Sequence, residues 1–109
     1  MNLPYEETLV SLLIKKHLTI ATAESCTGGL LAAALINVSG VSECLNESYI
    51  TYSNEAKMRI LHVHKNTLDT YGAVSKECVV EMAENLQKIA HSEVAVSISG
   101  IAGPNGGSI

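Results

Sequence analysis

The stretch Ala23-Glu24-Ser25-Cys26-Thr27-Gly28-Gly29 lies between two apolar runs, Leu18-Thr19-Ile20-Ala21-Thr22 before it and Leu30 to Ile36 after it. This arrangement reads as a strand, a tight turn and a helix. Two glycines leave the backbone at the turn open to close approach by another molecule. The first N–H groups of a helix lack intrahelical partners and carry partial positive charge, so such a turn favours an anion or a developing oxyanion. Ser25 is therefore a candidate nucleophile, with the N–H groups of Cys26, Thr27, Gly28 and Gly29 as candidate oxyanion donors. The plainer use of a hydroxyl here, for Thr27 as for Ser25, is to cap the helix.

The scheme recurs twice. Tyr49-Ile50-Thr51 leads into Tyr52-Ser53-Asn54-Glu55-Ala56-Lys57, where Ser53 or Asn54 would cap a helix and Lys57 falls one turn in. Glu93 to Ser99 reads as a buried strand, followed by the glycine-rich Gly100-Ile101-Ala102-Gly103-Pro104-Asn105-Gly106-Gly107. Six of the eight glycines (28, 29, 100, 103, 106 and 107) fall after the first and third strands. Ligands of open α/β sheets bind outside the carboxyl ends of the strands, so these three polar loops are candidate walls of one site.

Between them, Glu6 to His17 has the apolar spacing of an amphipathic helix. The periodicity predicts strands over Leu18–Ala23, Ser48–Tyr52 and Val94–Ser99. It predicts helices over Thr27–Val38, Asn54–Leu61, Lys65–Tyr71 and Lys76–His91. The first of these helices is so poor in polar residues that burial on most sides is expected. Gly72 would stop the third, and Ser75 would cap the fourth, whose apolar face is Val79, Met82, Ala83, Leu86, Ile89 and Ala90. Strands alternating with helices imply a three-layer α/β/α fold around a mostly parallel or mixed sheet.

A chain of 109 residues accommodates one domain, and 47% apolar residues suffice for a core. Without Phe or Trp, that core is expected to be aliphatic and alanine-rich, with the four tyrosines. A net charge of −4 and the lack of a basic run argue against a nucleic-acid partner. The longest apolar run is too short to span a membrane, and the first residues lack the regions of a signal peptide, so no membrane partner and a cytoplasmic location are expected. Cys26, Cys44 and Cys78 read as free thiols of a reducing compartment. Cys26, at a helix N-terminus where thiol acidity rises, is the alternative nucleophile. His62-x-His64 has no accompanying carboxylate or cysteine cluster, so solvated histidines and no metal are expected there.

Four stretches, ATAESCTGGLLAA, TYSNEAK, YGAVS and SISGIAGPNGGS, occur in this order and together resemble the C-terminal domain of the competence/damage-inducible CinA family. The resemblance runs from about Leu18 to the last residue. Stand-alone members of that family are nicotinamide-nucleotide amidases. The family domain usually continues beyond the glycine loop, whereas this sequence stops at Ile109 inside it; a truncated domain is therefore expected.

The resemblance implies an amidohydrolase that converts nicotinamide mononucleotide to nicotinic acid mononucleotide and ammonia. Ser25 would be the nucleophile, Lys57 the base, and Tyr52 a relay that orients the proton. No cofactor and no metal are implied. A lysine serves as base only if burial or neighbouring cations lower its pKa from about 10.4. On spacing alone, Lys57 reads more simply as a solvated helix residue pairing with Glu55 or Asn54, and Tyr52 as a strand tyrosine packed on the sheet. Asn54, Ser99 and Gly100 are candidate substrate-binding residues, the last two for ribose or phosphate. GIAGPNGG is neither a Walker loop nor a dinucleotide fingerprint, so the expected small-molecule partner is a mononucleotide. The other reading is a non-catalytic nucleotide-binding or assembly module. An incomplete sheet with an alanine-rich helix also implies a homo-oligomer.

Overall fold

Every residue of the first strand, β1 (Ile20–Glu24), is buried, and the rest of the fold is arranged around it. The computed structural model describes residues 4–101. Gly103, Gly106 and Gly107 of the expected phosphate loop lie outside the described residues. Helix α1 (Tyr5–Lys15) precedes β1, and α2 (Leu30–Ile36) follows it. A 3-10 turn (Val41–Glu43) then leads to β2 (Leu45–Ile50). Next come α3 (Asn54–Leu61), α4 (Lys65–Tyr71), α5 (Lys76–Ala90) and β3 (Val94–Ile98).

The strand order is β2-β1-β3 and both pairings are parallel, so the described sheet has no mixed edge. Ile20 to Glu24 lie opposite Val94 to Ile98 on one side; on the other, Glu24 lies opposite Ile50. The chain steps outward from β1 to β2, then returns across β1 to β3. Right-handed crossovers in opposite directions place the connecting helices on opposite faces. The two cores follow. Ala21 and Ala23 pack with Leu61, Val63, Leu68, Cys78, Met82 and Leu86 from the α3–α5 side. Ile20 packs with Val10, Leu13, Leu35 and Cys44 from the α1–α2 side. Alternate residues of one strand thus serve opposite helix layers, as the two-residue period of a strand requires. The expected three-layer α/β/α architecture is present.

Several expectations about the elements need correction. Helix α2 begins at Leu30, not Thr27, because Gly28 and Gly29 take positive φ (59° and 108°) and hold the preceding residues in a turn. Nor is α2 enclosed: only Leu35 is buried, while Leu30 and Ile36 are 71% and 62% exposed. Strand β2 ends at Ile50, because its pairing with β1 ends at Glu24, and Thr51 and Tyr52 turn away toward α3. The core is aliphatic and contains alanine, but Tyr5, Tyr52 and Tyr71 are exposed; only Tyr49 packs against it. Three of the four histidines, His17, His62 and His91, stand at helix ends in the left-handed region, which histidine enters more readily than most residues. Ser53 and Ser75 cap α3 and α5, each accepting a hydrogen bond from the N–H three residues on.

Candidate active site

β1 delivers Ser25 to the carboxyl end of the sheet, where the order of strands reverses. Its N–H donates to the Ile98 carbonyl (3.1 Å), and the Thr51 N–H donates to the Glu24 carbonyl (2.8 Å), which pins the strand ends together around it. On α3, Lys57 and Leu61 are one turn apart and both buried. The Lys57 side chain runs inward from the helix, 1% exposed, and its Nζ lies 3.0 Å from each of Ser25 Oγ, the Thr51 carbonyl and the Tyr52 carbonyl. The solvated-lysine reading is thereby corrected: Glu55 pairs with Arg59, not with Lys57, because both point outward from α3 one turn apart.

This set of partners bears on the protonation of Lys57. Burial pushes the amine below the ordinary lysine pKa, and the nearby Cys78 and Cys26 thiols oppose that only in part. A neutral amine has two N–H groups and one lone pair. Carbonyl oxygens only accept, so the Thr51 and Tyr52 carbonyls take the two N–H groups. The lone pair is left for the one partner that can donate, the Ser25 hydroxyl. The arrangement can withdraw a proton from Ser25.

Tyr52 is placed differently from its expected role. Its carbonyl meets Lys57, and also lies 3.3 Å from Ser25 Oγ, but its side chain is 62% exposed and its phenol bonds to neither residue. The chain leaves β2 just before this residue, so its main chain turns inward while its ring faces out. Asn54 is exposed and is not the cap of α3, a role taken by Ser53. Ser99 Oγ donates to the Ala73 carbonyl (2.8 Å), tying the end of β3 to the turn before α5. Gly100 approaches Cys26 so closely that a Cβ there would stand 3.0 Å from its Sγ. Gly100, which follows β3, therefore lies directly against Cys26 in the turn after β1.

The oxyanion donors are fewer than the sequence implies. The Gly28 N–H donates to the Ser25 carbonyl (3.1 Å), and the Gly29 N–H to Glu24 Oε1 (3.2 Å). The Cys26 and Thr27 N–H groups make no such bond among the described residues. The Thr27 hydroxyl donates to Glu24 Oε1 (2.6 Å). Glu24 itself escaped the sequence reading, although a carboxylate at the last position of an apolar strand, just before a helix, was a visible signal. Burial pushes its carboxyl up, but hydrogen bonds from Thr27, Ala32, Leu31 and Gly29 outweigh this and hold it below the usual carboxylate range.

The described residues contain no group of three or more His, Cys, Asp or Glu side chains able to hold a metal. His64 pairs with Glu81 at the surface. A concavity of about 520 Å³ runs along α4 and α5 and contains neither Ser25 nor Lys57. No helix among the described residues is long and apolar enough to cross a membrane.

Fold and geometry together define a doubly wound α/β domain that carries a buried serine–lysine pair at the end of its central strand. The chain belongs to the CinA C-terminal domain family, which it matches over residues 2–109. It is 54% identical over 102 residues to a protein of Clostridium perfringens named as competence-damage inducible, covering 94% of this chain and 25% of that protein. It is 49% identical over 107 residues to a CinA-like protein of Pseudothermotoga lettingae, covering 98% and 26%. The chain thus spans about a quarter of the length of the curated relatives it matches. Among solved structures, the competence or damage-inducible protein from Enterobacter asburiae superposes with a TM-score of 0.90 at 43% identity, over 94% of this chain and 65% of that one. A CinA superfamily protein from Escherichia coli gives a TM-score of 0.89 at 38% identity, over 94% and 60%.

Proposed function

We propose that this chain carries the hydrolytic centre of an amidase acting on the carboxamide of nicotinamide mononucleotide. The observation that carries the reading is the contact of the buried Lys57 amine with the Ser25 hydroxyl, with both remaining amine partners carbonyls. The family resemblance supplies the substrate. Ser25 Oγ attacks the carboxamide carbon while its proton passes to Lys57 Nζ. The tetrahedral oxyanion is held by the Cys26 and Thr27 N–H groups. Collapse breaks the C–N bond, and the Lys57 ammonium returns the proton to the departing ammonia. Water, deprotonated by the same amine, then hydrolyses the acyl-serine, releases the carboxylic acid and restores Ser25. The steps sum to amide plus water giving acid plus ammonia, with no redox equivalent and no cofactor. In this scheme Tyr52 acts through its carbonyl, and Ser99 and Gly100 border the substrate.

The test is ammonia release from nicotinamide mononucleotide. Ser25→Ala and Lys57→Ala should each abolish it while leaving the fold intact. Full activity in Ser25→Ala together with loss in Cys26→Ala would transfer the nucleophile to Cys26. A folded wild-type chain that binds the mononucleotide without turnover would favour the non-catalytic binding module.

A further inference from the structure

The Glu24 carboxylate is 1% exposed and wholly occupied by the turn that follows it. Its Oε1 accepts from Thr27 Oγ1 (2.6 Å), the Gly29 N–H (3.2 Å) and the Leu31 N–H (2.9 Å), and its Oε2 accepts from the Ala32 N–H (2.9 Å). These donors include first-turn N–H groups of α2, which in most helices stay open to a small cap, water or a ligand. Here a side chain one residue before Ser25 consumes them. Gly28 and Gly29, at φ 59° and 108°, give the turn the curvature that lets the chain fold back over that carboxylate. The bonds run from Glu24 over Ser25 and Cys26 to residues 27, 29, 31 and 32. They bracket the serine on both sides.

We propose that Glu24 is a positioning residue: its buried carboxylate fixes the Ser25–Gly29 turn so that only the Cys26 and Thr27 N–H groups remain directed at the oxyanion. The inference deepens the hydrolase reading and rests on it for the identity of the reaction, though not for the reactivity of Ser25. Its action is geometric. A negative charge beside an oxyanion opposes the transition state, so if charge alone mattered, removing it would speed the reaction. If the carboxylate instead holds the donors in place, removing it slows the reaction, because donors a fraction of an ångström astray lose most of their effect. Helix α2 also has no spare N–H for a substrate phosphate in its first turn, so the phosphate must be held elsewhere.

The experiment uses a fluorophosphonate, which reports on Ser25 whatever the natural substrate. Ser25 Oγ forms a bond to phosphorus, the P–F bond breaks, fluoride leaves, and the hydroxyl proton passes to Lys57. The wild type should be labelled at Ser25, and Ser25→Ala should not. Glu24→Gln keeps one acceptor oxygen but sets an amide NH2 against the Ala32 N–H. Its maximal labelling rate should fall about tenfold or more, with reagent affinity little changed. Thr27→Val removes one of the four bonds and should slow labelling about threefold or more; Thr27→Ser, which keeps the hydroxyl, should recover most of the rate. Thermal melts report whether each variant folds. If Glu24→Gln does not fold, the Thr27 pair decides. An unchanged or faster maximal rate in folded Glu24→Gln, or in Thr27→Val, overturns the proposal. Slower labelling by the variants of a chain that releases no ammonia from the mononucleotide upholds the positioning role and overturns the substrate reading instead.

Discussion

Lys57 Nζ and Ser25 Oγ lie 3.0 Å apart although 32 positions separate them in the chain, and none of the described ion pairs includes Lys57. With no carboxylate to hold a proton on it, burial favours the neutral amine. Activity should therefore rise with pH through an apparent pKa below that of a free lysine, about 10.4, and vanish in acid. A chelator should leave the rate unchanged; its loss in chelator and return with zinc would implicate His62 and His64 instead.

The same group makes stability depend on pH. Between the lowered folded pKa and the unfolded value, the unfolded chain holds a proton that the folded chain lacks, so stability rises with pH across that window. Lys57→Met removes the contribution. Its Tm should climb less than that of the wild type as the pH rises toward the free lysine value of about 10.4. Parallel Tm curves for the two proteins would show that Lys57 is charged in the fold.

Gly100 offers a test of the meeting of the first and third loops. A methyl group there would come within 3.0 Å of Cys26 Sγ. Gly100→Ala should cost about 1–3 kcal/mol and slow turnover as Cys26 is pushed aside. Combining it with Cys26→Ala should recover much of both losses, measured by denaturant unfolding and ammonia release. Additive effects of the two substitutions would mean that the loops do not touch.

Ser75 caps α5, the longest helix and the one that carries Met82 and Leu86 into the core. Its hydroxyl also donates to the Gly72 carbonyl (2.8 Å). Ser75→Ala should destabilise the fold by about 1 kcal/mol, seen as a lower denaturant midpoint with unchanged slope. No shift in midpoint would mean that the cap adds nothing.

Helix α2 presents Leu30 and Ile36 to solvent without a single charged residue in its length. A face of this kind favours association, and we expect a homodimer or higher closed oligomer. Sedimentation should show it at micromolar concentration, and Leu30→Glu with Ile36→Glu should shift the distribution toward monomer. A wild type already monomeric would remove this expectation.

Alternation of apolar runs with capped helical segments was enough to read three strands, their flanking helices and a layered fold, because strand and helix periods are local properties. Ser53, Ser75 and Gly72 marked helix ends through short-range chemistry. Ser25 and Lys57 were legible as candidates through the motifs around them. The boundaries of α2 and β2 were not, because glycine φ values and strand register set them. The exposure of α2 was hidden for a related reason: an apolar helix records what it could bury, not whether anything covers it.

The residue types of the site and the loops that bear them were thus determined by the sequence alone. Whether Lys57 would be solvated or buried was decided only when the parallel sheet brought the end of β2 beside the end of β1, so that two main-chain carbonyls and one hydroxyl closed around the amine. Main-chain groups carry no sequence signature, so the tyrosine whose ring suggested a relay contributes its carbonyl instead. A carboxylate hidden in the strand before the serine took up the helix N–H groups that the motif seemed to offer a ligand. Both outcomes depend on backbone groups that the fold brings to a side chain, and side-chain patterns do not encode those contacts.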